Sequence, residues 1–186
     1  MRIISGQYKG RKISLPNDNK TRPLKDMVKE SIFNVIEHSN KINLSIKNSI
    51  ILDLFSGSGS FGLEAISRGA ANVVFVENYS NVIQVLKKNI NLLNCNKKCK
   101  LLNTDCFKYF VSSEKLNENY DIIFLDPPYK EKKINLLIEK ILEKKILKKN
   151  GLIIIHRHKK DDIDLTNKLK IIDTRFYGIS KIIFGL

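Results

Sequence analysis

Ser49-Ile50-Ile51-Leu52-Asp53-Leu54-Phe55-Ser56-Gly57-Ser58-Gly59-Ser60-Phe61-Gly62 is the stretch on which the reading of this chain turns. Its first six residues form a short apolar run, the signature of a strand buried on both faces of a parallel sheet. The run breaks into a glycine-rich turn, and a helix is expected from there through Ser67. Gly57, Gly59 and Gly62 have the spacing G-x-G-x-x-G. Glycine has no Cβ, so the backbone can turn tightly and a ligand can lie against it. By itself the spacing suits a dinucleotide, with Glu77 on a ribose, as well as it suits S-adenosylmethionine.

The pattern on the C-terminal side alternates strand and helix. Asn72–Val76 reads as a second strand ending at Glu77, and 80–93 as a helix with Val82, Val85, Leu86, Leu92 and Leu93 as its core face. Residues 100–103 form a third strand followed by Asp105, and Tyr120–Leu125 a fourth that runs into Asp126-Pro127-Pro128-Tyr129. Lys132–Lys145 reads as helix and Gly151–Ile155 as a fifth strand. Leu169–Asp173 and Ile179–Phe184 read as a closing antiparallel pair. Such alternation predicts an α/β, Rossmann-like fold with a mostly parallel seven-stranded sheet, and a ligand outside the carboxyl ends of its strands.

On the N-terminal side, Arg2-Ile3-Ile4-Ser5 and Arg11-Lys12-Ile13-Ser14-Leu15 flank a glycine-containing turn and predict a β-hairpin. Pro16 to Arg22 reads as loop. Val28, Ile32, Val35 and Ile36 follow helical spacing and predict a helix over 24–38. Residues 39–49 are polar and read as a linker. Two units are therefore expected: a basic hairpin-and-helix extension over 1–40, and the main domain over 41–186.

Composition narrows the class. The 186 residues are 42% hydrophobic and 28% charged, enough to close one core. No apolar run reaches the ~18 residues of a membrane span, and no signal-peptide core is visible at the start. The three cysteines, Cys95, Cys99 and Cys106, are odd in number and suit a reducing cytosol better than a disulfide framework. A cytoplasmic monomer is expected. His156-x-His158 and Cys95-x3-Cys99 supply too few converging ligands for zinc, so no metal is expected. The net charge of +14 suggests a polyanionic partner. Lysine is a weak witness, because 27 Lys, 27 Ile and 19 Asn all have AT-rich codons. Arginine is a better one. Arg2, Arg11 and Arg22 fall within the first 22 residues, and the planar guanidinium matches phosphate. With Lys12 and Lys25 they predict a nucleic-acid contact surface.

Four acids fall at strand ends and should share one crevice: Asp53, Glu77, Asp105 and Asp126. After Asp126, two prolines fix φ and remove two N–H donors, leaving stiff backbone with free carbonyls. Asp126 and the Pro127 carbonyl can then accept the hydrogens of an exocyclic amine while Tyr129 stacks on its base. A dehydrogenase has no use for that group. The reaction expected is in-line methyl transfer from a sulfonium to a base amine, helped chiefly by alignment, which can supply roughly 7–11 kcal/mol. Rival readings are an adenine-N6 DNA methyltransferase, a glutamine-amide methyltransferase, a nicotinamide oxidoreductase and a non-catalytic RNA-binding assembly factor.

The Asp-Pro-Pro-Tyr motif with the glycine turn resembles the amino-methyltransferases that use S-adenosylmethionine. More narrowly, Arg2-Ile3-Ile4-Ser5-Gly6, Gly10-Arg11-Lys12, Arg22-Pro23, Asp26, Gly57-Ser58-Gly59, Gly62-Leu63-Glu64-Ala65 and Ser67-Arg68-Gly69-Ala70 resemble the RsmD family, over almost the whole chain. The resemblance implies methylation of the N2 amine of one guanine in bacterial 16S ribosomal RNA, within the small subunit or its precursor. It implies S-adenosyl-L-methionine as cofactor, with Asp53 and the Gly57–Gly59 backbone along its methionine part, Glu77 at its ribose and Asp105 at its adenine. Phe55, Ser58, Asn78 and Cys106 would be further contacts, and Phe107 would pack on the adenine or in the core. Asp126, Pro127 and Tyr129 would be catalytic, and Arg2, Arg11, Lys12, Arg22 and Lys25 would hold RNA. The chain departs from the family pattern at Met27 and Lys29, where arginine is usual, and at Asn78 and the His156-Arg157-His158 run, where an acid is.

Overall fold

The computed structural model describes residues 1–17, 22–112, 119–165 and 167–186. In chain order the elements are α1 (Asp26–His38), β1 (Ile50–Leu54), α2 (Ser60–Ser67), β2 (Asn72–Glu77), α3 (Ser80–Leu92), β3 (Cys99–Asn103), α4 (Cys106–Ser112), β4 (Tyr120–Leu125), α5 (Ile134–Glu143), β5 (Leu147–His158), β6 (Ile171–Tyr177) and β7 (Ser180–Gly185). The seven strands form one sheet in the order β3-β2-β1-β4-β5-β7-β6. The first five are parallel, and β7 runs antiparallel between β5 and β6. Strand order reverses direction between β1 and β4, and this switch point opens a crevice at their carboxyl ends.

Period-two alternation sends side chains to both faces of the sheet. Ile51, Phe75, Phe124 and Ile154 pack with α1, α2 and α3 on one face. Leu52, Val74, Leu125 and Ile153 pack with α4 and α5 on the other. Rings from three elements run in sequence through the first core: Phe33 to Phe61 at 5.1 Å and Phe61 to Phe124 at 4.0 Å. No helix among the described residues is long and apolar enough to cross a membrane.

The N-terminal hairpin is shorter than its sequence suggests. It closes on one antiparallel bridge, Arg2 with Lys12, where the Ile3 N–H donates to the Arg11 carbonyl at 2.9 Å. The ladder stops because Ile4 and Ser5 turn their N–H groups to the buried Glu64 carboxylate of α2, at 2.7 and 2.9 Å. Gly6 makes this docking possible: with φ near +80°, a Cβ there would lie 1.9 Å from the Ser67 carbonyl oxygen. Ile3, Ile13, Leu24, Val28, Ile32, Phe33 and Ile36 are buried in the same core as Phe61 and Phe124, so residues 1–17 and 22–40 pack as part of the main body. Ile42 and Ile46 also enter that core, which makes 39–49 a packed connection rather than a free linker. Of the loop expected over 16–22, residues 18–21 lie outside the described residues.

Other expectations shift at the edges. The helix expected over 24–38 begins at Asp26, and α5 is shorter than Lys132–Lys145. β5 runs on to His158, and β6 extends to Tyr177 through Thr174-Arg175, where an outer strand tolerates polar residues. On α3, Leu92 is exposed and Val85 half-buried, whereas Ile83, Asn89 and Ile90 face inward beside Val82 and Leu86. Asn89 is buried because its side chain is fully employed. It accepts from the Ser14 N–H at 2.7 Å and donates to the carbonyls of Ser14 and Ser58, both at 3.0 Å. α4 has no counterpart among the sequence expectations, since Cys106-Phe107-Lys108-Tyr109-Phe110 shows no clean period.

Candidate active site

The crevice at the switch point holds a cavity of ≈ 490 Å³. Asp53, Phe55, Gly57, Ser58, Glu77, Asn78 and Asp105 line it from β1 and β2 and the turns after β1, β2 and β3, and Asp126, Pro127 and Tyr129 from the end of β4. Two of the expected cofactor contacts fall outside it. Gly59 serves packing, since a Cβ there would sit 2.4 Å from Leu86 Cδ1. Cys106 is buried beneath Phe55, whose N–H donates to its sulfur at 3.3 Å, and burial pushes its thiol pKa up. Its position next to Asp105 places it on the inward face of α4.

Gly57 has φ +54°, and a Cβ there would meet nothing closer than the Phe55 carbonyl oxygen at 4.0 Å, so the turn is open to the cavity at that point. Gly62 lies under the turn, where a Cβ would strike Phe75 at 2.3 Å. Its N–H donates to Asp53 Oδ2 at 3.0 Å. Asp53 is 1% exposed, and burial pushes its pKa well above the usual carboxylate range. The Gly62 hydrogen bond opposes the shift, while the nearby charges of Asp126 and Glu77 add to it.

Glu77 is held by backbone donors. Its Oε2 accepts from Gly57 N–H, and its Oε1 from Asn78 and Tyr79 N–H, each at 2.9 Å. A carboxylate has about four acceptor positions, so Oε2 keeps one for a hydroxyl. Asp105 Oδ1 accepts from Phe107 and Lys108 N–H at the start of α4, and its Oδ2 accepts from the Asn78 side chain at 3.3 Å. Asn78, a departure from the family pattern, therefore ties the acid after β3 to the end of β2.

Asp126 Oδ1 accepts from His156 Nδ1 at 2.9 Å and from Arg22 Nη2 at 2.8 Å. A carboxylate can only accept, which places the proton on Nδ1. His156 is fully buried, and its Nε2 lies 2.8 Å from Ser180 Oγ. Arg157 points the other way along β5 and donates to the carbonyls of Pro128 (3.2 Å), Tyr129 (3.2 Å) and Glu131 (2.9 Å). This buried guanidinium thus holds the backbone whose donors the prolines remove. Sequence reasoning missed His156, Arg157 and Ser180. The only signal is a basic run at a strand end, and its partners are far away in sequence.

The residues expected on RNA divide. Arg2, Arg11, Lys12 and Lys25 are exposed on the N-terminal segment. Arg22, exposed as well, also reaches into the cavity, with Cζ 4.0 Å above the centre of the Tyr129 ring. Lys29, the departure on α1, is fully buried and donates to the Arg2 carbonyl at 2.8 Å beside Glu64 at 3.7 Å, so it braces the extension. Met27 is exposed.

A switch-point cavity with acids at the ends of successive strands and a rigid Asp-Pro-Pro-Tyr corner defines a methyltransferase of the Rossmann-like class. The chain belongs to the family described as Conserved hypothetical protein 95, whose model matches residues 1–185. Among its relatives is the ribosomal RNA small subunit methyltransferase D of Buchnera aphidicola subsp. Acyrthosiphon pisum, 39% identical over 161 residues, or 87% of this chain and 80% of that one. The protein of the same name from Haemophilus influenzae is 36% identical over 160 residues, 86% and 79% of the two chains. The solved structure of yhhF from Escherichia coli matches with a TM-score of 0.83 and 26% identity, over 100% of this chain and 96% of that one. An RNA methyltransferase from Salinibacter ruber, in complex with S-adenosyl-L-homocysteine, shares the fold at TM-score 0.61 and 14% identity, over 88% and 92% of the chains.

Proposed function

We propose that this protein methylates the exocyclic N2 amine of a guanine in small-subunit ribosomal RNA, in the cytoplasm, using S-adenosyl-L-methionine. The observation that carries the reading is the placement of Asp126 and Tyr129 in the same cavity as Gly57 and Glu77. The residues fit the cofactor: the turn is open at Gly57, Glu77 keeps an acceptor at the lip, and the carboxylates of Glu77 and Asp126 suit a positive sulfonium. When bound, S-adenosyl-L-methionine supplies an electrophilic methyl group at that sulfonium. Asp53, Phe55, Gly57 and Ser58 would flank its methionine part, Glu77 its ribose, and Asn78 and Asp105 its adenine.

The chain's own residues orient the amine. A guanine amine has its lone pair drawn into the ring and is a poor nucleophile. Hydrogen bonds from its N–H groups to Asp126 and the Pro127 carbonyl direct that lone pair toward the methyl. Tyr129 holds the ring plane, and Arg157 keeps the corner from shifting. Asp126, braced by His156, is placed to take the proton released. Arg2, Arg11, Lys12 and Lys25 would hold phosphates around the target.

The test is to incubate the protein with labelled S-adenosyl-L-methionine and unmodified small-subunit RNA, then digest the RNA and identify the methylated nucleoside by mass spectrometry. N2-methylguanosine is expected. Asp126→Ala should lower the rate about 100-fold or more, with affinity for S-adenosyl-L-homocysteine within a few-fold. N6-methyladenosine would overturn the choice of base, and full activity of Asp126→Ala would overturn the mechanism.

A further inference from the structure

Arg22 makes a set of contacts that a side chain merely lying on a surface would not. Its Nη2 donates to Asp126 Oδ1 at 2.8 Å, and its Cζ stands 4.0 Å above the Tyr129 ring. Nη1 and Nη2 lie 3.2 and 3.1 Å from the two ring nitrogens of His156. Those nitrogens already meet Asp126 Oδ1 at 2.9 Å and Ser180 Oγ at 2.8 Å. The His156 ring stands at 81° to that of Tyr129, with centroids 6.1 Å apart, so the two rings do not form a parallel sandwich. A flat group that only donates hydrogen bonds thus lies over the Tyr129 ring, with one edge toward the carboxylate and the imidazole.

That description also fits one edge of one nucleobase. Carbon 2 of guanine is bonded to three nitrogens, and its N1–H and N2–H2 present two donors side by side, as a guanidinium does. Adenine and cytosine offer a donor beside an acceptor, and the acceptor would face the Asp126 oxygens in mutual repulsion.

Building on the function proposed above, we propose that Arg22 is an internal stand-in for the target base: its guanidinium fills the guanine position on Tyr129 and Asp126, and RNA binding displaces it. The same contacts select guanine over adenine. A stand-in that fills the site nine-tenths of the time lowers apparent affinity about tenfold.

The experiment is equilibrium binding of two short single-stranded RNAs, identical except for one central guanine or adenine, to protein saturated with S-adenosyl-L-homocysteine. Arg22→Ala and Arg22→Lys should both bind the guanine RNA about tenfold more tightly than the wild type, because lysine keeps the charge but loses the plane. Neither should bind the adenine RNA more tightly. Millimolar guanidinium ion should compete with the guanine RNA for Arg22→Ala and not for the wild type. Weaker or unchanged binding by Arg22→Ala, or the absence of guanidinium competition, overturns the inference. A wild type that fails to methylate ribosomal RNA instead overturns the function on which it rests. An active wild type whose Arg22→Ala form binds no more tightly overturns the stand-in alone.

Discussion

At the scale of single residues, Asp53 links stability to pH with an unusual sign. Burial raises its native pKa, so the folded protein favours the protonated form over the unfolded chain, where the ordinary value is 3.8. Its stabilising contribution is complete below that value and is lost as pH rises through the raised native pKa. Asp53→Asn cannot ionise and keeps an oxygen for the Gly62 N–H. It should raise the melting temperature at pH 7 by several degrees, since 1 kcal/mol shifts a domain of this size by about 2–4 °C. The gain should shrink toward pH 4, and melting curves across pH 4–8 check it; a gain that grew on acidification would contradict the assignment. The position of Asp53, like those of Glu77 and Asp126, was legible because a strand end fixes where its last residues emerge. Cys106 and Gly59 were not, because adjacency in sequence does not say which way a side chain points once a helix begins. His156 was illegible for another reason: its partners Asp126 and Ser180 lie 30 and 24 residues away.

At the scale of elements, α2 is the hinge of the design. It begins at the glycine turn, its Gly62 lies against β2, and its Glu64 and Ser67 receive the N-terminal segment. Gly62→Ala should destabilise the protein by about 1–3 kcal/mol, because its Cβ would overlap Phe75 and Val73, which are fixed in the core. Denaturant titration measures this, and an unchanged midpoint would mean that β2 yields more easily than its burial implies. The parallel strands were readable, since each is a short apolar run between turn residues. The true length of the hairpin was not. Alternation along Arg11–Leu15 describes a strand, but nothing in it says that the opposite edge is claimed by Glu64. The inward face of α3 was hidden for a related reason: a buried asparagine satisfied by Ser14 and Ser58 carries no hydrophobic signal.

Over the whole molecule, the N-terminal segment combines exposed charge with buried apolar packing. Replacing Arg11 and Lys12 with alanine should reduce the log–log salt slope of RNA binding by about 0.7 for each single-strand phosphate that the variant no longer neutralises. The same change at Lys144 and Lys145, at the end of α5, should leave the slope unaltered, and titrations at several salt concentrations decide. Equal effects from both pairs would point to diffuse attraction by the +14 chain. The apolar side of the segment has a different consequence. Ile3, Ile13, Leu24, Val28, Ile32 and Phe33 share one core with Phe61 and Phe124. A protease that clipped at residue 40 would leave a body with its interior open to water. The N-terminal segment of this enzyme is therefore not a cassette that recombination can exchange, and a lineage that altered its surface would have to do so one exposed side chain at a time, over an inheritance of fixed isoleucines.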